Sequence, residues 1–399
     1  MSFSISWTDF KEKADSSDFI EHFSLVKNDE KSIFTPEQES KENGTTHIFI
    51  EGDNYPALKL LCKKYTNKID LIYTDPPYNT GKQFTYSDNM SVDEWLSFIS
   101  RRLTQAKALL KDTGCIFIAI GGEQVHLLKI LCDKIFGEEN FINDFMWLCG
   151  KGKKDRWSRT MQQSNLCYAK NKKKLESFIE YKKTDWAETN PDNDERGTWF
   201  SGSISFSEKR SNPKSENFYE VVSPSGIHWK RQWLISKDEM QKLIDENKIY
   251  WGKAPECKNV PRRKIFNGQT LKIIPKNIII DSESTRQAQN HLDSLLNEKK
   301  SFDNPKPVNL IQHFIQITNM DKNAVILDFF AGSGSTLEAT VEQNKTDGGK
   351  RKCILIQKAE CIQKSGKFKT IAELCRERIK AVLSTTCDGL EYFELKYKE

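Results

Sequence analysis

The sequence predicts an α/β protein: a mostly parallel sheet, covered by helices on both faces and interrupted by a large insertion. Three observations carry that prediction. Short apolar runs alternate with segments of helical period over 46–150, and again from about 302 to 383. Such alternation lays strands parallel, with crossover helices between them. Between the two stretches the chain turns polar, lysine-rich and rich in turn residues. Finally, two apolar runs open directly into proline- or glycine-bearing motifs, as strands do at the ligand end of an open sheet.

The elements follow in chain order. Residues 1–45 are polar and charge-rich and read as an N-terminal arm ending at Asn43-Gly44. Thr46–Ile50 is the first strand, then come a helix over 54–65 and the strand Ile69–Tyr73. A helix over 93–110, the strand Cys115–Ile120 and a helix over 123–136 continue the pattern. Asn165–Ala169 reads as one more strand, closing a first half at 46–170. Residues 171–300 are expected to form an inserted domain. Asn212-Pro213, Pro224-Ser225-Gly226 and Asn267-Gly268 punctuate it, and the aromatics Trp199, Phe218, Tyr219, Trp229, Trp233, Tyr250 and Trp251 are scattered through it. The second half, 301–399, holds the strands Ala324–Asp328 and Cys353–Ile356.

Bulk properties narrow the function. The 399 residues suffice for two or three domains. A net charge of +5 means that any nucleic-acid affinity comes from local patches. Ten cysteines without a Cys-x-x-Cys pair, and six scattered histidines, predict no metal centre. There is no P-loop, no apolar run long enough to span a bilayer and no signal peptide, so the expected protein is soluble, cytoplasmic and no ATPase.

Two motifs carry the chemistry. Thr74-Asp75-Pro76-Pro77-Tyr78-Asn79-Thr80-Gly81 follows a strand. Consecutive prolines fix two φ angles and hold Asp75 extended. The turn therefore presents a carboxylate, the Pro76 carbonyl and an aromatic face together, which suits a flat amino-bearing ring. Asp328-Phe329-Phe330-Ala331-Gly332-Ser333-Gly334 links a strand to a helix, the layout of a nucleotide-type cofactor loop. Leu337 stands where a dinucleotide fingerprint needs its third glycine.

On these residues the chain resembles the β-class amino-methylating DNA methyltransferases, in which the catalytic motif precedes the cofactor motif. Within that class it is most similar to the modification subunits of type III restriction–modification systems. The resemblance extends to Ser6-Trp7-Thr8, Phe49–Asn54 with Leu58–Leu61, Pro305-Lys306-Pro307 with Leu310-Ile311, and Lys369–Glu373 with Glu377-Arg378-Ile379. It implies a permuted Rossmann-like sheet dependent on S-adenosylmethionine, with 46–170 as catalytic half, 171–300 as target-recognition insertion and 301–399 as cofactor-binding half. It implies transfer of a methyl group to adenine N6 in a flipped-out base of double-stranded DNA, with Asp75, Pro76, Pro77 and Tyr78 as the catalytic turn. Asp rather than Ser before Pro-Pro-Tyr favours adenine over the alternative, cytosine N4. A catalytically weak DNA-binding specificity module is a further alternative, against which both intact motifs stand.

For the cofactor the resemblance and the loop together give Asp53, Lys306, Pro307, Asp328, Phe329, Ala331, Gly332, Ser333, Gly334 and Gln357. Gln357 and Glu360 both stand where such folds place an acid for the ribose, and the sequence leaves the choice open. Asp53 also reads as a cap for the helix beginning at Asn54. The resemblance further implies a homodimer, with room for a separate restriction (translocase–nuclease) subunit.

Two basic clusters are candidate phosphate contacts. Residues 150–183 hold eleven Lys/Arg against three acids, so the cluster's sign is clear; its leading members are Lys151, Lys153, Lys154, Arg156 and Arg159, beside Trp157. Arg262 and Arg263 form the second, within the insertion.

Overall fold

The computed structural model describes residues 21–34, 44–81, 89–150, 156–362 and 366–398. They divide into two compact units, 179–274 forming one and the residues on either side of it the other. The larger unit opens with β1 (Phe23–Lys27), β2 (Thr46–Glu51), α1 (Asn54–Tyr65), β3 (Ile69–Thr74) and α2 (Val92–Leu109). It continues through β4 (Leu110–Ile120), α3 (Val125–Phe136), β5 (Phe141–Asp144), β6 (Met146–Leu148) and β7 (Gln162–Ala169). The smaller unit contains β8 (Glu180–Lys183), β9 (Trp199–Gly202), β10 (Phe218–Val222), β11 (His228–Gln232), α4 (Lys237–Asp245), β12 (Ile249–Tyr250), β13 (Arg262–Phe266) and β14 (Thr270–Ile273). The chain then returns with β15 (Ile278–Ile279), α5 (Thr285–Leu296), α6 (Val308–Ile317), β16 (Val325–Asp328) and α7 (Ser335–Asp347). It ends with β17 (Lys352–Gln357), α8 (Ile371–Leu383) and β18 (Gly389–Tyr397).

One sheet organises the larger unit, in the order β1-β18-β2-β17-β16-β3-β4-β7-β6-β15, with β5 also paired to β7. From β18 through β4 the neighbours are parallel. Its middle strands are rich in Ile and Leu because most of their residues are buried, with helices on both faces. Period-two alternation sorts their side chains. Ile48, Ile50, Ile72, Ile116 and Ile354 pack under α1, α2 and α3. On the other face Leu71, Tyr73, Phe117 and Ile326 meet α6, while Phe49, Cys353 and Leu355 meet α7 and α8. Helix starts are fixed locally: Asp53 accepts from the Tyr55 amide at 2.9 Å, and Ser91 with Glu94 forms a capping box on α2.

The order places a crevice. β16 leads through α7 to β17 on one side, whereas β3 leads through α2 to β4 on the other. Since β3 and β16 are themselves parallel neighbours, their carboxyl ends diverge at a topological switch point. Asp75 and the 329–334 loop leave the sheet there.

Several boundaries differ from the sequence reading. Within the expected arm, Phe23–Lys27 is an edge strand antiparallel to β18, with Phe23, Ser24 and Leu25 half-buried and Val26 and Lys27 exposed; residues 1–20 and 35–43 lie outside the described residues, as does Ser6-Trp7-Thr8. The separate unit is 179–274 rather than 171–300. Phe178 and Ile279 are buried in the larger unit's core, and α5 belongs there too. β7 extends back to Gln162 and runs antiparallel to β4. The smaller unit has its own core of Ile204, Val221, Trp233, Met240, Leu243 and Ile249. Its first and last strands pair antiparallel, Glu180 opposite Ile273.

Candidate active site

The turn after β3 is held at several points. The Trp95 indole donates to the Pro77 carbonyl at 2.8 Å, and the Tyr78 hydroxyl donates to Gln163 Oε1 at 3.2 Å. Asn79 takes a left-handed conformation (φ 55°) and its side chain accepts from the Met90 amide at 2.8 Å. Two prolines and three hydrogen bonds leave the turn little freedom.

Asp75 has two differently employed oxygens. Oδ2 accepts from Lys306 Nζ at 2.6 Å; Oδ1 is buried and has no hydrogen-bond partner among the described residues. Lys306 is buried apart from 8% of its surface, and its Nζ sits 5.2 Å from the centroid of the Tyr78 ring. The lysine expected at the cofactor is therefore paired with the Asp75 carboxylate. An orphaned buried oxygen costs roughly 1–3 kcal/mol, so Oδ1 marks a place for a donor from outside the chain.

The glycine loop forms the facing wall. Gly332 (φ 53°) and Gly334 (φ 84°) occupy left-handed backbone; a Cβ would meet Phe302 at 3.1 Å and the Cys375 sulfur at 2.9 Å respectively. The Gly332 amide donates to Gln357 Oε1 at 2.7 Å. Gly334 starts α7 without a side-chain cap, which leaves amides at that helix start for a ligand. Asp328 accepts from the Phe330 amide at 3.0 Å and the Thr336 hydroxyl at 2.6 Å, and burial pushes its carboxyl up to about 7 against those two bonds. Phe329 points into the core beneath α1 and α2, contrary to expectation; Phe330 lines the cavity instead. Side chains leaving a strand alternate in direction, so one of two adjacent phenylalanines must turn inward.

Between turn and loop lies a cavity of about 510 Å³, within the range of small-molecule sites. Its lining includes Asp75, Pro77, Tyr78, Lys306, Asp328, Ala331, Gly332, Ser333, Gln357 and Glu360. Gln357 has committed its oxygen to the loop, whereas Glu360 lines the cavity and burial raises its carboxyl. Asp53 does not line the cavity: it caps α1 and pairs with Arg102 at 3.2 Å. Pro307 is likewise off the lining, at the start of α6.

A buried network beneath the loop had no sequence signal beyond its place in the closing helix. Arg378 donates to the hydroxyls of Ser333 (2.9 Å) and Ser335 (2.8 Å) and to Glu338 (2.7 Å), which also bonds His291 at 2.5 Å. Burial pushes the Glu338 carboxyl up, but the His291 bond and the Arg378 charge outweigh it and bring it down to about 2. A carboxyl depressed on folding stabilises above its unfolded value of 4.5, and that stability is lost as pH falls through about 2. Glu338→Gln should cost on the order of 3 kcal/mol near neutral pH. The gap between the thermal melts of the two proteins should begin to narrow as pH falls below about 4.5 and close towards about 2; a gap independent of pH would refute the ionic role.

Of the basic residues, Arg156 and Arg159 are exposed, while Lys151, Lys153 and Lys154 lie outside the described residues. Arg262 bonds Ser201 through its guanidinium, and Arg263 is half-buried. The neighbouring Lys264 is buried against Asp192 and Asp194. The second cluster thus lies on a strand along which burial deepens from exposed Arg262 through half-buried Arg263 to buried Lys264. No described helix is long and apolar enough to cross a membrane.

Strand-end turn and glycine loop thus share one cavity. A family profile described as DNA methylase matches residues 69–368, and the chain belongs to that family. It is 32% identical to the type III restriction-modification enzyme StyLTI Mod subunit of Salmonella typhimurium over 86% of this chain and 58% of that one. The EcoPI Mod subunit of Escherichia phage P1 is 31% identical over 89% and 65%. The chain therefore spans about three-fifths of the length of these relatives. The type II methyltransferase M.KpnI of Klebsiella pneumoniae is 33% identical over 86% of this chain and 88% of that one. Among solved structures, the cytosine-N4-specific PvuII DNA methyltransferase superposes with a TM-score of 0.42 at 13% identity, covering 85% of this chain and 94% of that one.

Proposed function

We propose that this chain transfers a methyl group from S-adenosylmethionine to the N6 amino group of an adenine extruded from double-stranded DNA. The observation that carries the reading is the unpaired Oδ1 of Asp75, facing a cavity whose opposite wall is the glycine loop. The family membership and the type III Mod and type II methyltransferase relatives support it.

The cavity fits the cofactor. Backbone amides at the start of α7, glycines that admit a close approach and the Glu360 carboxyl offer an anion site, a cradle and a diol acceptor. When bound, S-adenosylmethionine supplies an electrophilic methyl group on a sulfonium. The protein's task is to make a poor nucleophile adequate, because the adenine amino lone pair is delocalised into the ring. Asp75 Oδ1 and the Pro76 carbonyl accept the two N–H groups and favour a more tetrahedral nitrogen. Lys306 fixes the other Asp75 oxygen, so the carboxylate cannot rotate away. Tyr78, tethered by Gln163, stacks on the base. Catalysis then rests on positioning and electrostatics. The one cavity cysteine, Cys149, has its thiol raised by burial, which argues against a thiolate nucleophile.

Under this reading the unit 179–274 reads bases, while Arg156 and Arg159, with Lys151, Lys153 and Lys154, hold phosphates. Its partners are DNA, a second copy of the chain, and a restriction subunit like that of the type III relatives; its place is the cytoplasm, with the DNA.

Labelled-methyl transfer followed by nucleoside analysis tests the proposal, with N6-methyladenine expected. N4-methylcytosine would move the acceptor, and binding of S-adenosylmethionine without transfer would favour a specificity module. Tyr78→Phe should keep most activity because stacking survives. Tyr78→Ala should lose about 1–3 kcal/mol of base binding, read as weaker apparent DNA affinity. Equal behaviour of the two variants would remove the stacking role.

A further inference from the structure

The transfer reaction makes no use of the most exposed large apolar side chain among the described residues. Trp157 is 83% exposed, and the Arg156 guanidinium lies 4.7 Å from its ring centroid. A flat ring backed by a cation suits a nucleic-acid base and its phosphate. Residues 156–161 are all exposed, yet the far end of this stretch is anchored. The Cys149 amide donates to the Met161 carbonyl at 2.9 Å, which ties the stretch to the strand region preceding it.

The anchor belongs to the active site. Thr160, Gln162 and Gln163 line the cavity, and Gln163 accepts from Tyr78. Trp157 stands three residues before Thr160, a step of at most about 10 Å of chain. The exposed ring is therefore within reach of the mouth through which a base would pass, on a stretch wired to the tyrosine that would receive it.

We propose that Trp157 inserts into the duplex where the target base leaves and stacks in the vacated gap, with Arg156 on a flanking phosphate. Extrusion forfeits two stacking faces and a base pair, and an inserted aromatic restores stacking to the bases left behind. This inference rests on the proposed transfer to an extruded base. It assigns a positioning role, since Trp157 need not touch the reacting atoms.

The test uses the full chain, a duplex carrying the methylated site once sequencing has mapped it, and the same duplex with a mismatch opposite the target adenine. Trp157→Ala should lower transfer on the paired duplex by about ten- to hundredfold and recover to within a few-fold of the parent on the mismatch, where extrusion is easier. Trp157→Phe should retain most activity, and S-adenosylmethionine affinity should not change. With 2-aminopurine at the target, the fluorescence rise on extrusion should shrink for Trp157→Ala. Equal transfer by Trp157→Ala and parent on both duplexes would overturn the wedge while leaving the transfer reading intact. An equal loss on both would overturn it too, making Trp157 a general contact with DNA or with another protein, which light scattering separates. No transfer by the parent on any DNA would sink the underlying reading.

Discussion

Asp75→Ala is expected to abolish methyl transfer, by on the order of 10³-fold, the scale of losing preorganised electrostatic contact in a transition state. S-adenosylmethionine binding should be retained, because the carboxylate faces the acceptor side of the cavity and the glycine loop is untouched. Calorimetric titration beside a transfer assay reads both; turnover comparable to the parent would sink the assignment. Lys306→Met separates two roles for the lysine. If it holds Asp75, as the 2.6 Å contact indicates, kcat should fall with cofactor affinity nearly unchanged. If it serves the cofactor, as the resemblance implies, cofactor affinity should fall instead.

The second large effect concerns specificity. Exchanging 179–274 for the corresponding unit of a related enzyme should move methylation to a different DNA sequence. The unit has a core of its own, and its first and last strands pair, so both chain crossings lie close together and a graft need not disturb the larger core. Contacts to base edges specify, while phosphate contacts only position. Within the unit Trp199 and Trp233 are buried, Trp233 in its core, whereas Tyr181 and Trp186 remain substantially exposed. Sequencing with modified-base detection reads the outcome: an active chimera that keeps the parent site would place recognition in the larger unit.

Both motifs were legible because each joins an apolar strand to residues with forced backbone behaviour. Prolines fix Asp75 at the end of β3, and glycines admit the left-handed angles at 332 and 334. Partners distant in sequence were not legible. Lys306 meets Asp75 across 231 positions, and Arg378 reaches Ser333 across 45. Nor was the edge strand Phe23–Lys27, half-exposed and mixed in composition, distinguishable from a polar arm. The insertion's true limits turned on two single apolar residues, Phe178 and Ile279, in otherwise polar surroundings.

By itself, then, the sequence determined the α/β class, the strand-end placement of Asp75–Tyr78 and of the 328–334 loop, and the presence of an insertion. Local periodicity and restricted φ angles suffice for those. Only the tertiary structure decided that β3 and β16 are neighbours, that Phe330 rather than Phe329 lines the cavity, that Lys306 pairs with Asp75, and that Gln357 bonds the loop. These depend on which surfaces burial brings together, and hydrophobic burial is non-directional, so it carries no record in the local pattern.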